Sequence, residues 1–476
     1  MSFDAVQQRS ASLSLSMSID QGTFESLVPS RFTTFTFPNP SSSSLSPNPL
    51  HAPLLRVAVL DSPTQPTTPL IAAMLVPTHR ESDWTFSTHS GHLLLLLSSH
   101  HHHHHISRLI LIGNLPSSPH PTPYTRPIQS LSHIQDALTP LLLALSPKSS
   151  FQHGLPEIPF LDYEDDLIRS AVVDTCVGSC VGEMLVEDVE LEGRGFRRRL
   201  RFKRMPNLIQ TQVRILPIDR SSDVGFAGLG DLGLFRLDMG SLVQPYLGPM
   251  VAGLSVIGSC LERRVRDGFR LKALCLGVGG GALVTFLNDQ LGFEVVGVEA
   301  DEVVLTVARK YFGLRESEFV RVCVGDGIRL VQQIGGRGEK ANCDSLSDCF
   351  GVKLDSILDV IMVDLDSSDA RMGTMAPPLE FVEKSVLRAA RLVVSDHGIL
   401  VINVIPPSRS FYEKLVRELQ EFFVELYEID VGNGENFVFI ATASPVETVS
   451  SDCENSFLTK LKLVINGEFL DSIRKI

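Results

Sequence analysis

The chain has 476 residues, more than one ordinary domain needs, and its 43% hydrophobic and 20% charged residues are typical of a protein that buries a core. Its formal net charge of −13 repels the phosphates of nucleic acids, so the charge argues against a nucleic-acid binder and favours a basic partner. The eight cysteines are scattered without paired CxxC spacing, so we expect reduced thiols and neither a disulfide framework nor a metal site.

No apolar run approaches the roughly 18 residues that a membrane-spanning helix needs; the best run is Leu93 to Leu97. The N-terminal region is rich in serine and poor in lysine and arginine, as in a transit peptide. However, Asp4, Asp20 and Glu25 are atypical of such a peptide. We therefore expect a soluble, cytoplasmic protein without membrane contact, and a plastid location stays open.

Residues 1–50 are rich in Ser, Thr and Pro and predict a disordered tail, because such a polar segment buries too little to repay its ordering. From residue 51 to 156, short apolar runs between turn residues predict a small β-rich α+β domain. Its predicted helix, Ile128 to Leu145, must bend or stop near Pro140, whose ring blocks the continuing hydrogen bond. The predicted strands are Leu55 to Leu60, Ile71 to Val76, Leu93 to Leu97 and Leu109 to Ile112.

Two conspicuous segments favour a structural role over a binding role. His100 to His105 lie between two predicted strands, which favours a solvated low-complexity loop over a metal site. Residues 157–250 form a predicted β-hairpin lead-in to the next domain, and Arg197 to Arg204 is their densest positive segment. Because Leu200 and Phe202 alternate with charged residues, this segment predicts a strand with one solvated face and not a nucleic-acid site.

Beyond Leu271, apolar runs alternate regularly with helical patterns, which is the signature of βαβ units and a parallel sheet. The helical segments include Asp301 to Phe312 and Leu379 to Val394. Two late strands joined by Gly432, Asn433 and Gly434 predict a hairpin after the fifth parallel strand. Residues 251–476 therefore predict a seven-stranded, Rossmann-like α/β domain. Its predicted strands are Leu274 to Leu276, Val295 to Val298, Val320 to Val324, Val360 to Val363, Ile399 to Val404, Val424 to Asp430 and Phe437 to Ala441.

The first turn of this domain carries Gly277, Gly279 and Gly281, directly after a strand and before a helix. Glycine lets the backbone approach a ligand, and the amides at the start of the helix favour negative charge. Glu299 closes the second strand, where a carboxylate can accept hydrogen bonds from both ribose hydroxyls. Together these residues predict an adenosine-containing cofactor, either a nicotinamide dinucleotide or S-adenosylmethionine.

Acidic residues after the third and fourth strands distinguish these two cofactors. Asp326 and Gly327 follow the third strand, at a turn that meets the adenine amino group in methyltransferases. Asp364 and Asp366 follow the fourth, at the sheet edge where open α/β sheets bind ligands, while Asp369 is expected to cap a helix. A cationic sulfonium tolerates nearby carboxylates, whereas a pyrophosphate is repelled. The pattern therefore favours S-adenosylmethionine and a class I methyltransferase fold, with these predicted cofactor-binding residues: Gly277, Gly279, Gly281, Glu299, Asp326, Gly327 and Asp364.

Asn403 is a polar side chain inside the apolar run Ile399 to Ile405. A buried amide must find hydrogen-bond partners, so either neighbouring backbone satisfies it or it points into the active site. Its position at the C-terminal end of a strand favours the active site.

These motifs resemble the C-terminal half of the methyltransferase-like protein 13 family. The resemblance is clearest in Asp359 to Ser367, Pro377 to Val382, Ile402 to Val404, Asn207 to Arg214 and Met250 to Leu254. It extends more weakly to Val76 and Pro77 and to Asp83 to Phe86, so it covers roughly residues 70–476.

In that family this half has a spermidine-synthase-like fold and trimethylates the N-terminal glycine of translation elongation factor 1-alpha, while a separate N-terminal domain methylates a lysine. The resemblance therefore implies a protein substrate, elongation factor 1-alpha, and activity on an α-amine. We expect no lysine activity, since this sequence has no counterpart of that first domain. Two departures are expected to alter the substrate mouth: Gln212, where the family tends to have glutamate, and the long insert Gly335 to Ser356.

An α-amino group has a pKa of about 7.7 to 8.0, so its deprotonation near neutrality needs no strong base. Asp364 or Asp366 is expected to hold the ammonium form and accept its proton, and Asn403 to accept a hydrogen bond from the neutral amine. Two alternatives stay open. One is a polyamine aminopropyltransferase of the same fold, whose glycine loop carries an aspartate where this chain has Gly280. The other is a catalytically silent scaffold that binds a cofactor or a partner.

Overall fold

The computed structural model of the chain falls into two compact units, Met1–Asp165 and Asp166–Ile476. The predicted lead-in and the predicted catalytic segment thus belong mostly to one unit. The residues that the structure describes are 22–40, 54–64, 69–77, 80–81, 83–98, 106–115, 131–152, 154–161, 163, 166–205, 208–218, 228–336, 358–367, 376–431, 435–446 and 455–476.

The first unit is built on a mixed sheet with the strand order β1-β2-β4-β3-β5. One face of the sheet packs against a long helix through Leu138, Leu141 and Leu142. The other face packs against Phe86, Leu95 and Leu96. Its strands are β1 (Phe32–Pro38), β2 (Leu54–Asp61), β3 (Leu70–Leu75), β4 (Ile106–Asn114) and β5 (Phe160–Leu161); its helices are α1 (Trp84–Ser87), α2 (His89–Ser98) and α3 (Leu131–Ala144).

The prediction of a disordered tail over residues 1–50 is wrong for residues 22–40. Strand β1 alternates phenylalanine with threonine and pairs antiparallel with β2. A fully buried arginine holds the segment before it: Arg108 pairs with Asp61 at 2.6 Å and donates to the carbonyl of Phe24 at 2.8 Å. Residues 1–21 and 41–50 lie outside the described residues.

Leu93 to Leu97 lie in helix α2, so the predicted strand there is wrong. A short apolar run does not distinguish a strand from a buried helix, and leucine favours the helix because it is not β-branched. Helix α3 contains Pro140 and continues beyond it to Ala144, so the predicted stop at this proline does not occur. The run His100 to His105 lies outside the described residues.

The second unit begins with an antiparallel sheet in the order β10-β9-β8-β7-β6. One face of this sheet packs against Val304, Val307, Tyr311 and Phe312, in and just after a helix of the parallel domain. The strands are β6 (Leu167–Gly178), β7 (Gly182–Leu191), β8 (Gly195–Phe202), β9 (Ile209–Pro217) and β10 (Phe235–Asp238).

The basic segment in β8 is not a solvated strand face, which corrects the prediction. Arg198, Arg199 and Arg201 are only 3–5% exposed. Acidic residues on the neighbouring strand β7 compensate this charge: Arg198 pairs with Asp188 at 2.7 Å, and Arg201 pairs with Glu187 at 2.9 Å. The pattern of charges along one strand could not reveal this, because the partners are on another strand.

The second sheet of this unit has the order β13-β12-β11-β14-β15-β17-β16-β18. Strands β13, β12, β11, β14 and β15 run parallel, and β17 inserts antiparallel between β15 and β16. This confirms the predicted class I fold; the two-residue β18 extends its edge. The strands are β11 (Lys272–Leu276), β12 (Glu294–Glu299), β13 (Val320–Val324), β14 (Leu358–Val363), β15 (Val394–Val404), β16 (Glu425–Asp430), β17 (Phe437–Thr442) and β18 (Arg474–Lys475).

Helices cover both faces of this sheet and bury an apolar core on each side. The predicted helix Leu379 to Val394 is divided at Glu383, whose backbone is extended, into a 3₁₀ turn, Leu379–Val382, and a helix. The turn Gly432 to Gly434 and residues 337–356 of the predicted insert lie outside the described residues. The helices are α4 (Leu247–Ala252), α5 (Gly258–Arg266), α6 (Ala282–Leu291), α7 (Glu302–Tyr311), α8 (Gly327–Gly335), α9 (Lys384–Val393), α10 (Arg409–Phe422), α11 (Ser456–Val464) and α12 (Gly467–Asp471).

Among the helices in the described ranges, none is long and apolar enough to cross a membrane.

Asp301 joins the antiparallel sheet to the parallel domain. This fully buried carboxylate accepts hydrogen bonds from the amide of Val303, at the start of α7, and from the amides of Cys180 and Val181, in the turn between β6 and β7. Burial raises the pKa of Asp301, but the backbone amides lower it more, so the net pKa lies below its ordinary value of 3.8.

We expect Asp301→Ala to lower the free energy of unfolding by about 2 kcal/mol or more, because it removes a helix cap together with two amide bonds to a charged group. Ser408→Ala is the matched control: Ser408 caps α10 through the amide of Phe411 alone, and its loss should cost about 1 kcal/mol.

Because the pKa of Asp301 is lowered by folding, its charge stabilises the fold above pH 3.8 and loses this effect as the pH falls below that value. Urea titrations at pH 7 and pH 3.5 measure the free energy of unfolding of each variant and its dependence on pH. Equal losses of unfolding free energy in Asp301→Ala and Ser408→Ala at pH 7 would contradict the linking role of Asp301.

Candidate functional site

A cavity of about 800 Å³ lies at the C-terminal ends of the parallel strands, within the second unit. Its volume is typical of a pocket that holds a small molecule. The structure brings almost all the predicted site residues to this cavity, where they lie at the ends of five parallel strands. They are Gly277 and Gly279 after β11, Glu299 at the end of β12, Asp326 and Gly327 after β13, Asp364 and Asp366 after β14, and Asn403 in β15.

The glycine loop is shaped by packing within the protein. Gly277 has a φ of +82°, and a Cβ there would lie 2.0 Å from the carbonyl oxygen of Asp364, so only glycine fits. A Cβ on Gly280 would lie 2.3 Å from Cγ2 of Thr211 on β9. Gly281 does not line the cavity and faces Leu314, so the structure gives no support to its predicted role in cofactor binding.

Glu299 joins the glycine loop to the second strand. Its Oε2 accepts hydrogen bonds from the amides of Val278 and Gly279, both at 3.1 Å. Burial raises the pKa of Glu299 above its ordinary value, although these amides act in the opposite direction. Its Oε1 accepts a hydrogen bond from the amide of Asp301 at 3.3 Å. A carboxylate has about four lone-pair sites, so Glu299 retains about one, on Oε1, for a ligand in the cavity.

Asp364 lies at the centre of the site. Its Oδ1 accepts a hydrogen bond from Nδ2 of Asn403, and its Oδ2 accepts one from the hydroxyl of Tyr246, both at 3.0 Å. Burial, together with the smaller effect of the nearby charges of Asp366 and Glu299, raises the pKa of Asp364 to about 6, while these two hydrogen bonds act in the opposite direction. Both partners are neutral, so the carboxylate keeps its charge for a cation.

Asn403 is 3% exposed and lines the cavity. Its amide orientation follows from chemistry: ionised Asp364 only accepts, so Asn403 must present its NH₂ group there. Its Oδ1 is buried and has no hydrogen-bond partner among the described residues. A buried acceptor without a partner is costly, so this oxygen is suited to a ligand donor.

Asp366 differs from Asp364 because it has a cationic partner. Arg204 donates to Oδ2 of Asp366 at 3.2 Å, and Gln210 donates to the same oxygen at 3.4 Å. Burial raises the pKa of Asp366, and the charge of Arg204 lowers it in part. The two acids that the sequence presented as equivalent are therefore electrostatically distinct.

Asp326 occupies the rim of the cavity, with about half of its side chain exposed, and caps α8 through the amides of Ile328 and Arg329.

Gln212 is one of the two departures from the family that were expected to alter the substrate mouth. It donates to the carbonyl of Val243 at 3.1 Å and does not line the large cavity, so it does not contact the cavity opening directly. Asp369 lies outside the described residues.

Sequence reasoning missed the residues that approach the site from outside the parallel domain. Tyr246, whose pKa is raised well above its ordinary value by burial and by Asp364, stands just before α4. Arg204, Gln210 and Thr211 come from β9 and the turn before it, and Thr211 accepts a hydrogen bond from the amide of Gly280 at 2.8 Å. No local motif marked these residues; only the family resemblance included positions 210 and 211.

Comparison with known proteins agrees with this geometry. No protein-family model matches the sequence. The eEF1A lysine and N-terminal methyltransferase of Xenopus laevis is 26% identical over 397 residues, which are 80% of this chain and 52% of that protein. Its counterpart in Danio rerio is 26% identical over 430 residues, 86% of this chain and 57% of that protein. The chain resembles the eEF1A lysine and N-terminal methyltransferases. It spans about half the length of these curated relatives.

Among solved structures, human methyltransferase-like protein 13 in complex with SAH is 24% identical to the chain, with a TM-score of 0.38. The match covers 48% of this chain and 93% of that structure.

We expect the stability of Asp364→Asn relative to the unaltered protein to increase with pH. Since folding raises the pKa of Asp364 from 3.8 to about 6, its charge opposes folding fully above about pH 6 and not at all below pH 3.8. Both carboxylate oxygens accept hydrogen bonds and an asparagine can replace only one of these acceptors, so the comparison is between two pH values and not at one. From pH 3.5 to pH 8, the difference in unfolding free energy should shift in favour of the variant by up to about 3 kcal/mol. Thermal unfolding at both values measures this shift, with exposed Asp289→Asn as the control that should change little. No shift, or a shift of the opposite sign, would contradict this account of the site.

Proposed function

We propose that the protein is an S-adenosylmethionine-dependent methyltransferase that modifies the N-terminal α-amine of a protein, of the elongation factor 1-alpha type. The observation that carries this proposal is the arrangement at the base of the cavity. An anionic Asp364 is held by two neutral donors, and beside it Asn403 offers an oxygen that has no hydrogen-bond partner in the part of the chain that the structure describes.

The cavity fits the proposed cofactor. Glu299 lines the cavity at the end of β12 and retains a lone pair on Oε1 that can accept a hydrogen bond from a ribose hydroxyl. The carboxylates of Asp326 and Asp364 suit a cationic ligand and oppose a pyrophosphate, which disfavours a dinucleotide. When bound, S-adenosylmethionine supplies an electrophilic methyl group on a sulfonium.

The acceptor is proposed to bind at Asp364 and Asn403. Asp364 holds the ammonium form of the amine and accepts one of its protons, which an α-amine releases readily because its pKa is about 7.7 to 8.0. Asn403 Oδ1 then accepts a hydrogen bond from the neutral amine and directs its lone pair along the line of displacement. The nitrogen forms the new N–C bond as the S–C bond breaks. The methylated amine leaves in its cationic form, and Asp364 gives the proton that it accepted to solvent.

Two observations support this proposal over the transfer of an aminopropyl group. The curated relatives are named as eEF1A methyltransferases. In addition, the aspartate that aminopropyltransferases carry in the glycine loop has no room at Gly280, where even a Cβ would meet Thr211. A translation factor as the substrate also implies a cytoplasmic location.

Glu299→Gln should weaken the binding of S-adenosylmethionine on the order of ten- to a hundredfold, because it replaces a charged acceptor of the ribose hydroxyls by a neutral one. Isothermal titration calorimetry measures this. Glu294→Gln is the matched control, since Glu294 begins the same strand and lies outside the cavity. Unchanged affinity in Glu299→Gln would remove Glu299 from the cofactor site.

Asn403→Ala should slow methyl transfer on the order of a hundredfold with little change in cofactor affinity, because a misaligned amine reacts slowly. The assay uses labelled S-adenosylmethionine with a free-amine peptide and with its acetylated copy, whose nucleophilic lone pair is blocked. Asn288→Ala, which removes an amide on α6 away from the cavity, is the control.

Equal labelling of the free and acetylated peptides, or full activity in Asn403→Ala, would contradict the proposed acceptor. Label transfer to 1,4-diaminobutane from the decarboxylated donor, with none to the peptide, would favour the aminopropyltransferase instead.

A further inference from the structure

Arg204 stands at the acceptor side of the cavity, in the turn that follows β8. Its guanidinium donates to Asp366 at 3.2 Å and to the carbonyl of Ser367 at 3.4 Å. The ring of Phe202 lies beneath it, with its centroid 5.3 Å from Cζ. These contacts hold a partly exposed cation on the cavity wall, where its remaining N–H groups can meet a ligand.

The charges around this wall are unequal. Among the described residues that line the cavity, the cations are Arg204 and Arg329, and Arg329 is paired with Asp326 at the rim. Among the described residues, the hydrogen-bond partners of the Asp364 side chain are neutral donors, whereas the charge of Asp366 is offset by Arg204. The buried part of the wall therefore presents a carboxylate without a cationic partner, Asp364, and a guanidinium on the neighbouring Asp366; the exposed Glu380 and Glu383 also line the cavity.

We infer that Arg204 determines which amines the site accepts: it favours an amine with a carbonyl group beside it and excludes a diamine. This inference rests on the proposed function and narrows its substrate class. The first peptide carbonyl of an N-terminus lies two bonds from the amine nitrogen and is an acceptor for a guanidinium donor. A diamine carries a second ammonium group, which Arg204 repels and which Asp366, already paired, does not attract.

The pairing with Arg204 also gives Asp366 a role in the site. Without Arg204, Asp364 and Asp366 would form two anionic positions in one cavity, which is the arrangement that a doubly charged amine needs. The Arg204–Asp366 pair converts the second position from a cation site into a carbonyl site. The Arg204–Asp366 pair therefore affects which acceptor binds and takes no part in the methyl transfer step.

The test measures binding directly, without turnover. Calorimetry follows 1,4-diaminobutane added to the full chain saturated with S-adenosylhomocysteine. We expect Arg204→Met to bind the diamine on the order of ten- to a hundredfold more tightly than the unaltered protein, because Asp366 is freed. Arg204→Lys keeps the cation and should bind it as weakly as the unaltered protein. The double variant R204M/D366N should lose the gain. Arg204→Gln is the second neutral variant if Arg204→Met does not fold.

The second measurement is methylation of a free-amine peptide. Arg204→Met should raise KM about tenfold or more while kcat changes only a few-fold, since the lost contact positions the peptide carbonyl and not the amine. An amine of equal length that lacks the first carbonyl should show no such difference between the two proteins.

The outcomes separate this inference from the proposed function. If the peptide is methylated but the neutral variants gain no diamine affinity and keep the same KM, the inference about Arg204 is overturned and the proposed function stands. If no peptide is methylated but the neutral variants bind the diamine more tightly, the role of Arg204 is supported and the proposed function fails.

Discussion

The burial of one negative charge, on Asp364, organises the site. A carboxylate at the end of a central strand loses much of its hydration, and its elevated pKa records that cost. The fold compensates with donors from two separate parts of the chain, the Tyr246 hydroxyl and the Asn403 amide. The backbone of the same residue also fixes the glycine loop, because its carbonyl leaves no room for a Cβ at Gly277. One residue thus shapes the glycine loop and contacts the Tyr246 and Asn403 side chains.

The other acids of the cavity differ from Asp364 in what neutralises them. Glu299 is held by backbone amides, which bear no net charge, and Asp366 is held by a guanidinium. Asp326 is half exposed and needs less compensation, although it too has an arginine beside it. These four carboxylates have different electrostatic environments, and the exposed Glu380 and Glu383 also line the cavity. Under the proposed function, this variety would let the cavity distinguish ribose, sulfonium, ammonium and carbonyl groups.

The parallel domain was predictable because its information is local. A buried strand, a turn and a helix follow one another along the chain, so Glu299 and Asp364 could be placed at strand ends from their neighbours alone. The errors have the opposite cause. The arginines of β8 are buried because acids on β7 pair with them, and Leu93 to Leu97 are helical although the run suits a strand equally well. Tyr246 and Arg204 could not be assigned to the site, since tertiary structure alone brings them to Asp364 and Asp366.

The contacts of Asp301 have a consequence for how the two sheets of the second unit communicate. Its carboxylate holds the turn between β6 and β7, and its own amide donates to Oε1 of Glu299 at 3.3 Å. Glu299 lines the cavity, and Asp301, two residues later in the chain, anchors the antiparallel sheet. If S-adenosylmethionine binds at Glu299 as proposed, its binding and the docking of that sheet would be linked, and such linkage is reciprocal. A ligand there would tighten a wall of its own cavity, and a loosened wall would release the ligand more readily.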